Sequence, residues 1–258
     1  MSVIHKTAIV HADAELAGDV EIGPYTVIGE GVKLGGGCRV GPHVVLNGPM
    51  TMGANNRVFQ FCSIGEAPQD LKYADEPTLL EIGSGNTFRE YSTVNRGTVG
   101  GGGVTRIGND NLFMGYTHVA HDCVIANSVI FSNAAQIAGH VEVLDFAILG
   151  GFTKVHQFTH LGEHCFTGIS TVVTRDVPPY VSVAGSQGKA YGINKNGLRR
   201  RGFGEDVIAA LYKAYKVLVH RRGPRDAALE EVQTLCAEFP EVQRFTDFIV
   251  QSERGIVR

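Results

Sequence analysis

His121, Gly139 and Gln157 stand eighteen residues apart, one after the other. The next column, Asp122, His140 and Phe158, keeps the same step; His156 precedes Gln157, and His118 lies three residues before His121. If eighteen residues make one turn of a coil, these groups gather on one edge of three successive turns, because neighbouring strands stack ~4.8 Å apart. An imidazole with an ordinary pKa of ~6.5 can take a proton from a hydroxyl near neutral pH. The neighbouring Asp122 can orient the ring and stabilise the imidazolium, or simply face solvent. Gly139, one turn above His121, can offer a bare backbone N–H to an oxyanion. Two other readings stand beside general-base catalysis. Imidazole is a common metal ligand, and polar corner residues can bond one another and do nothing else. Four histidines on three stacked turns weigh against the purely structural reading. His118 and His121 are not at an established zinc spacing and no cysteine accompanies them, so no metal site is expected.

The eighteen-residue step is three times a shorter one. An apolar residue returns at every sixth position from Ile4 to Ile64, again from Ile82 to Val94, and again from Ile107 to Val173, where only Thr167 is polar. A helix asks for spacings of three and four, and a simple strand for two. Six is a short strand plus a turn, and repeated it is a parallel β-helix. Small residues often follow the beat, as at Gly23, Gly35 and Gly41, and are read as the source of the backbone freedom a corner needs. Such use accounts for 33 glycines in 258 residues, about twice the usual share. The stretch Glu66 to Leu80 loses the beat and is expected to be an excursion loop. From Val94 to Ile107 is thirteen residues, so the register slips by one, and Gly100 to Gly103 reads as a second loop.

Past Val173 the pattern stops at the breaker Asp176-Val-Pro-Pro-Tyr180. From about Phe203 the period turns helical through Val207, Leu211, Tyr215 and Leu218 and ends at Gly223-Pro224; a second helix ends at Phe239-Pro240, and a third follows through Val242, Phe245 and Ile249. The expected architecture is mainly β: a coil over residues 1–185, with excursions near 66–80 and 100–104, and a C-terminal helical domain over 186–258 that caps it. A hydrophobic share of 43% suffices for that linear core. The net charge of −3 offers no overall basic field for nucleic acid. Five scattered cysteines without a C-x-x-C fit reduced thiols in a cytoplasmic protein. The repeat begins almost at once, so no signal peptide is expected, and no apolar stretch is long enough to span a membrane. Between Lys189 and Arg225 ten lysines and arginines face only Glu205 and Asp206, which points to an anion or an acidic partner.

The chain resembles the hexapeptide-repeat acyltransferases and, within them, the UDP-N-acetylglucosamine 3-O-acyltransferases that begin lipid A synthesis. The resemblance rests on Gln69-Asp-Leu-Lys-Tyr-Ala74, Arg96-Gly-Thr-Val99, His118-Val-Ala-His-Asp-Cys123, Ala138-Gly-His-Val141, Val155-His-Gln-Phe158, Asp176-Val-Pro-Pro-Tyr180 and Leu198-Arg-Arg-Arg-Gly-Phe203. It extends into the cap through Pro240-Glu-Val242 and Phe245-Thr-Asp-Phe248. It implies a left-handed coil assembled as a homotrimer with sites between subunits, and a reaction that needs no cofactor. A 3-hydroxyacyl group passes from acyl carrier protein to the 3-position of the UDP-sugar. On matching positions, His121 is the general base and the Gly139 backbone binds the oxyanion. Asp70 and Lys72 contact sugar and phosphate, and His118, His140, His156 and Gln157 shape the sugar and acyl pocket. Asn194, Arg200 and Arg201 reach the nucleotide from a neighbouring subunit, since a guanidinium fork matches phosphate oxygens. The basic cap can also receive the acidic carrier protein.

Two positions depart from the family pattern. Asn95 stands before Arg96-Gly97 where many relatives carry histidine. Ile169 occupies the position aligned with the acyl-length ruler, where glycine serves longer chains, so a chain shorter than fourteen carbons is expected. His5, His11, His43, His160, His164 and His220 are read as ordinary surface or corner residues. Three rivals remain: acylation of a 3-amino sugar, a zinc-dependent trimeric β-helix carbonic anhydrase, and a scaffold that keeps the fold without catalysis. The N-acyltransferase of the same pathway carries an additional N-terminal domain for which this chain has no room.

Overall fold

The computed structural model describes residues 2–221 and 224–258. From Val3 to Val173 the chain winds as strands of two to four residues joined by tight corners. Each strand pairs in parallel with one a full turn later, so Ile22 lies on Val40, Ile28 on Leu46 and Ile125 on Val143. Among the described residues the three faces of the resulting prism hold nine, nine and eight strands, and two strands beyond Val173 bring the first face to eleven. They are called first, second and third here, starting from Val3–Ile4, Ile9–Val10 and Glu15–Leu16. Successive side chains of a strand point to opposite faces, so a two-residue strand buries one residue, and that one is the beat residue. Ile28, Leu46, Ile64, Ile125 and Ile137 are fully buried in this way. Phe88, Phe113 and Phe131 stack along the axis at 4.7 and 5.0 Å between ring centroids.

The glycines after the beat serve a different purpose from the one their type suggests. Where a corner takes left-handed backbone it does so three residues after the beat, as at Tyr25, His43, Asp122, His140 and Phe158, with φ from 55° to 59° for Tyr25, His43, Asp122 and Phe158 and 60° for His140. Gly23 and Gly35 are needed because the turns approach closely there. An ideal β-carbon on either would lie 2.7 Å from a backbone carbonyl carbon of the next turn, at Gly41 and Gly53 respectively.

Both excursions leave the second face and return on the third. The pairing step of eighteen becomes thirty between Met52 and Ile82, and twenty-five between Ile82 and Ile107. The first insertion is two whole beats, which is why it leaves the phase unchanged; the second is one beat plus one residue, which is the slip visible in the sequence. In the second excursion Thr98 caps a short 3-10 turn, Val99–Gly101.

An antiparallel hairpin, Val181–Ala184 with Lys189–Ile193, extends the first face across residue 185. Four α-helices follow: α1 (Lys195–Arg200), α2 (Glu205–Tyr215), α3 (Arg225–Glu238) and α4 (Pro240–Gln251). Helix α1 has too few residues to show a period, so the sequence pattern passes over it. Helix α2 runs on through a π turn, Lys216–His220; the expected stop at Gly223 lies outside the described residues. Pro240 opens α4, where its missing N–H costs nothing. No helix among the described residues is long and apolar enough to cross a membrane. After α4 the tail returns to the coil. The Ser252 hydroxyl donates to the Asp176 carboxylate at 2.6 Å, and Asp176 and Ile256 form a parallel bridge.

Candidate active site

The histidine column occupies the edge between the second and third faces, the edge from which both excursions open. Strands His118–Val119 and Val124–Ile125 bracket His121 and Asp122. One turn on, Gln136–Ile137 and Glu142–Val143 bracket Gly139 and His140. After another turn, Lys154–Val155 and His160–Leu161 bracket His156, Gln157 and Phe158. His118 pairs with Gln136, and Gln136 with Lys154, so the step of eighteen holds across the whole site.

Asp122 does not face solvent: its side chain is fully buried. Its carboxylate accepts the Thr98 backbone N–H at 2.7 Å and the Thr98 hydroxyl at 2.6 Å. The same oxygen that takes the hydroxyl lies 2.7 Å from His121 Nδ1. An ionised carboxylate can only accept, so in the neutral imidazole Nδ1 carries the proton and Nε2 keeps its lone pair. Gly101 closes over this carboxylate; an ideal β-carbon there would lie 2.0 Å from its Cγ. Thr98, in the Arg96-Gly-Thr-Val99 motif, and Gly101, in the glycine run, carried no expected role at Asp122, because the second insertion breaks the eighteen-residue step just where they sit.

The His121 ring lies against Gly139, whose backbone N–H donates to no acceptor among the described residues. His140 donates its backbone N–H to the His121 carbonyl at 3.0 Å. Its ring meets His121 edge-on at 5.3 Å and stacks on Phe158 at 4.3 Å. Its Nε2 lies 3.7 Å from the Asp122 carboxylate. Potential ligand atoms of His121, Asp122 and His140 lie within 4.8 Å of one another, so the convergence a metal would need is present. The Asp122 oxygens are, however, already engaged by Thr98 and His121. His118 Nδ1 lies 2.7 Å from the Thr93 hydroxyl; burial, and then the charge of His121, hold its pKa below the ordinary value. Cys123 points into the core, where burial pushes its thiol up to about 12, so no thiolate nucleophile stands at this edge. His156 is exposed and meets a residue the sequence did not suggest, Arg254, whose Nη2 lies 2.8 Å from His156 Nδ1.

Asp70 and Lys72 lie on the first excursion, on this edge but two turns earlier. The Asp70 carboxylate accepts the Lys72 backbone N–H at 2.9 Å, and Leu71 between them is fully exposed. Asn95 is buried and donates its amide to the Ala67 carbonyl at 3.0 Å. Arg96 binds the Gly48 and Gly65 carbonyls at 2.9 and 2.6 Å and the Tyr73 hydroxyl at 3.1 Å. Together they anchor the base of the loop.

Asn194, Arg200 and Arg201 are not brought to His121 within one chain. They sit at the edge between the third and first faces. Asn194 caps α1 through the Gly197 N–H at 3.1 Å and donates to the His164 carbonyl at 3.1 Å. The Arg201 guanidinium lies 4.3 Å over the Phe146 ring. Arg200 is exposed and has no ion pair among the described residues. His164 belongs to this corner and is no ordinary surface residue. It is buried between Phe146 and Tyr180 at 4.8 and 5.8 Å, and burial pushes its pKa down to about 4. His43 likewise stacks between Tyr25 and Phe61, at 5.1 and 5.4 Å. Ile169 occupies the remaining edge and is 74% exposed in the single chain.

Comparison with known proteins gives this geometry its setting. The family described as "Udp N-acetylglucosamine O-acyltransferase; Domain 2" matches residues 176–257, and "Bacterial transferase hexapeptide (six repeats)" matches residues 1–36. The acyl-[acyl-carrier-protein]–UDP-N-acetylglucosamine O-acyltransferase of Thiobacillus denitrificans is 52% identical over the whole of both chains, and that of Stutzerimonas stutzeri 48% over the whole of both. Among solved structures, LpxA from Acinetobacter baumannii superposes with a TM-score of 0.96 at 42% identity, covering 99% of this chain and all of the other. The UDP-N-acetylglucosamine O-acyltransferase of Moraxella catarrhalis gives 0.95 at 41%, covering 99% of both. A match of that quality includes the hand of the coil, which is left-handed. On sequence and fold together, the chain belongs to the family of acyl-[acyl-carrier-protein]-dependent UDP-N-acetylglucosamine O-acyltransferases.

Proposed function

We propose that this chain transfers a 3-hydroxyacyl group from acyl carrier protein to the 3-hydroxyl of UDP-N-acetylglucosamine, the first step of lipid A synthesis, with His121 as general base. The observation that carries the reading is the bond from His121 Nδ1 to the buried Asp122, which leaves Nε2 as a proton acceptor above Gly139. Nε2 takes the proton of the sugar hydroxyl, and that oxygen attacks the thioester carbonyl carbon. The carbonyl π electrons move onto oxygen, and the Gly139 N–H donates to the oxyanion. Collapse breaks the carbon–sulfur bond, and the departing thiolate takes the proton from the His121 imidazolium. Asp122 stabilises that imidazolium while it lasts.

Around this centre, His118, His140, His156 and Gln157 line the sugar and acyl pocket, and Asp70 and Lys72 approach from the first excursion. Asn194, Arg200 and Arg201 lie on another edge of the prism, which fits a homotrimer in which a neighbouring copy delivers them to the nucleotide. The exposed Ile169 limits the acyl chain to fewer than fourteen carbons. We read residues 1–185 as the coil domain, 186–258 as the helical domain, and the cytoplasm as the compartment where both substrates occur.

An acyl-transfer assay against a ladder of 3-hydroxyacyl carrier proteins tests the reading. His121→Ala is expected to lower kcat by roughly 10³-fold while the protein still binds the nucleotide sugar; wild-type turnover in this variant would overturn it. The proximity of His121, Asp122 and His140 is the one observation on the side of the rival zinc-dependent carbonic anhydrase. Stoichiometric bound zinc, with hydration of carbon dioxide lost on chelation and no acyl transfer, would decide for that rival. Preference for the 3-amino sugar in the same assay would move the acceptor from oxygen to nitrogen.

A further inference from the structure

The tail after α4 reaches back over the histidine edge and places Arg254 there. Its Nε donates to the Thr174 carbonyl at 2.9 Å, which fixes the guanidinium, and Nη2 lies 2.8 Å from His156 Nδ1. Val257 and Asp176 tie the tail down on either side, through the Val257 N–H to the Asp176 carbonyl at 2.9 Å and the Asp176 N–H to the Gly255 carbonyl at 3.1 Å. His156 Nδ1 also lies 3.0 Å from the Gln157 carbonyl oxygen. These two neighbours make opposite demands. A guanidinium has donors only, so Arg254 requires a lone pair on Nδ1. The carbonyl accepts only, so without Arg254 it would draw the proton to Nδ1.

We propose that Arg254 is a positioning residue that sets the tautomer of His156: with Arg254 docked the ring carries its proton on Nε2 and presents a hydrogen-bond donor to the substrate, and without it Nε2 becomes an acceptor. This rests on reading His156 as part of the substrate pocket. It makes the C-terminal tail, far from the column in sequence, part of how the pocket recognises its sugar. The helical cap then does more than cover the end of the coil.

The test uses the full-length protein labelled with ¹⁵N-histidine. Long-range ¹H–¹⁵N correlation should show His156 with a bare Nδ1 in the wild type and a protonated Nδ1 in Arg254→Met. In Arg254→Met the KM for UDP-N-acetylglucosamine should rise about tenfold, the scale of one lost hydrogen bond, with kcat within about twofold. Arg254→Lys, which keeps a donor, should retain the wild-type tautomer even if the tail loosens. His156→Gln supplies an amide donor that needs no partner, so adding Arg254→Met to it should leave KM unchanged. An unchanged tautomer in Arg254→Met overturns the proposal whatever the kinetics. A changed tautomer with wild-type KM also overturns it, and His156→Ala then separates two causes. If that variant raises KM, the pocket reading stands and only the role of Arg254 falls; if it does not, His156 is outside the pocket and both fall.

Discussion

The imidazole of His121 rests directly on the α-carbon of Gly139: an ideal β-carbon at that position would lie 2.6 Å from Cε1 and 2.8 Å from Nε2. No side chain, not even a methyl group, fits between the proposed base and the proposed oxyanion donor. Gly139→Ala must therefore push the ring away from Asp122 while leaving the backbone N–H in place. Kcat is expected to fall about a hundredfold, the cost of misplacing a reacting group by about an ångström. Steady-state kinetics with circular dichroism would check this, since the fold should persist.

Asp122→Asn tests the partner on the other side of the ring. A carboxamide offers one oxygen where the carboxylate offers two, and Thr98 and His121 between them bring three donors. The Thr98 backbone N–H can only donate and keeps the amide oxygen, so the NH₂ group faces the Thr98 hydroxyl, which can turn to accept, and His121 Nδ1, which must give up its proton. The expected result is loss of the Nδ1–H tautomer of His121 and a fall in kcat of roughly 10² to 10⁴-fold. KM for the nucleotide sugar should barely change, because Asp122 is buried beneath the ring.

Ile169→Gly should shift the acyl preference toward longer chains. Each methylene accommodated contributes about 0.8 kcal/mol, or roughly fourfold in specificity. Competition between ten- and fourteen-carbon carrier proteins measures it directly, and an unchanged profile would remove Ile169 from the ruler.

Acid should weaken the fold through His164. Its imidazole titrates at about 4 in the folded chain and near ~6.5 when unfolded. Between those values the unfolded chain holds a proton that the folded chain does not, so stability is intact above the upper value and is lost as pH falls through the window. His118, held low by burial, contributes with the same sign. Melting temperatures at pH 7.5 and 5 should differ less in His164→Gln than in the wild type, although the variant starts from a lower value at neutral pH.

The parts of the site that follow the eighteen-residue step were legible in the sequence, because parallel pairing ties residue to residue at that interval. His121 over Gly139 and Asp122 beside His140 are such pairs. Thr98 and Gly101 escape it because an insertion of one beat plus one residue separates them from the column they join. Arg254 escapes it because the tail's path is set by helix packing, which has no fixed interval. His164 is a different kind of omission. Phe146 lies one full step before it, but its other flanking ring, Tyr180, comes through the Pro-Pro turn two residues short of the next step. The fold class itself needed only the six-residue beat; its hand did not follow from that period, and came from likeness to known structures.

The two insertions share a property with practical reach. Twelve extra residues in one turn and seven in the next are absorbed at the same corner, and the strands that follow resume pairing in register, Glu81 with Thr51 and Arg106 with Glu81, while an irregularity stays local between Ile64 and Glu66, where the first excursion leaves the stack. That corner is a socket. It accepts chain of different lengths and returns it to register, and the plain turns at Gly139 and Gln157 have the same frame. Foreign segments grafted into those turns should fold on the scaffold as they would on any rigid display platform, each one turn of the coil further along and all facing the same side.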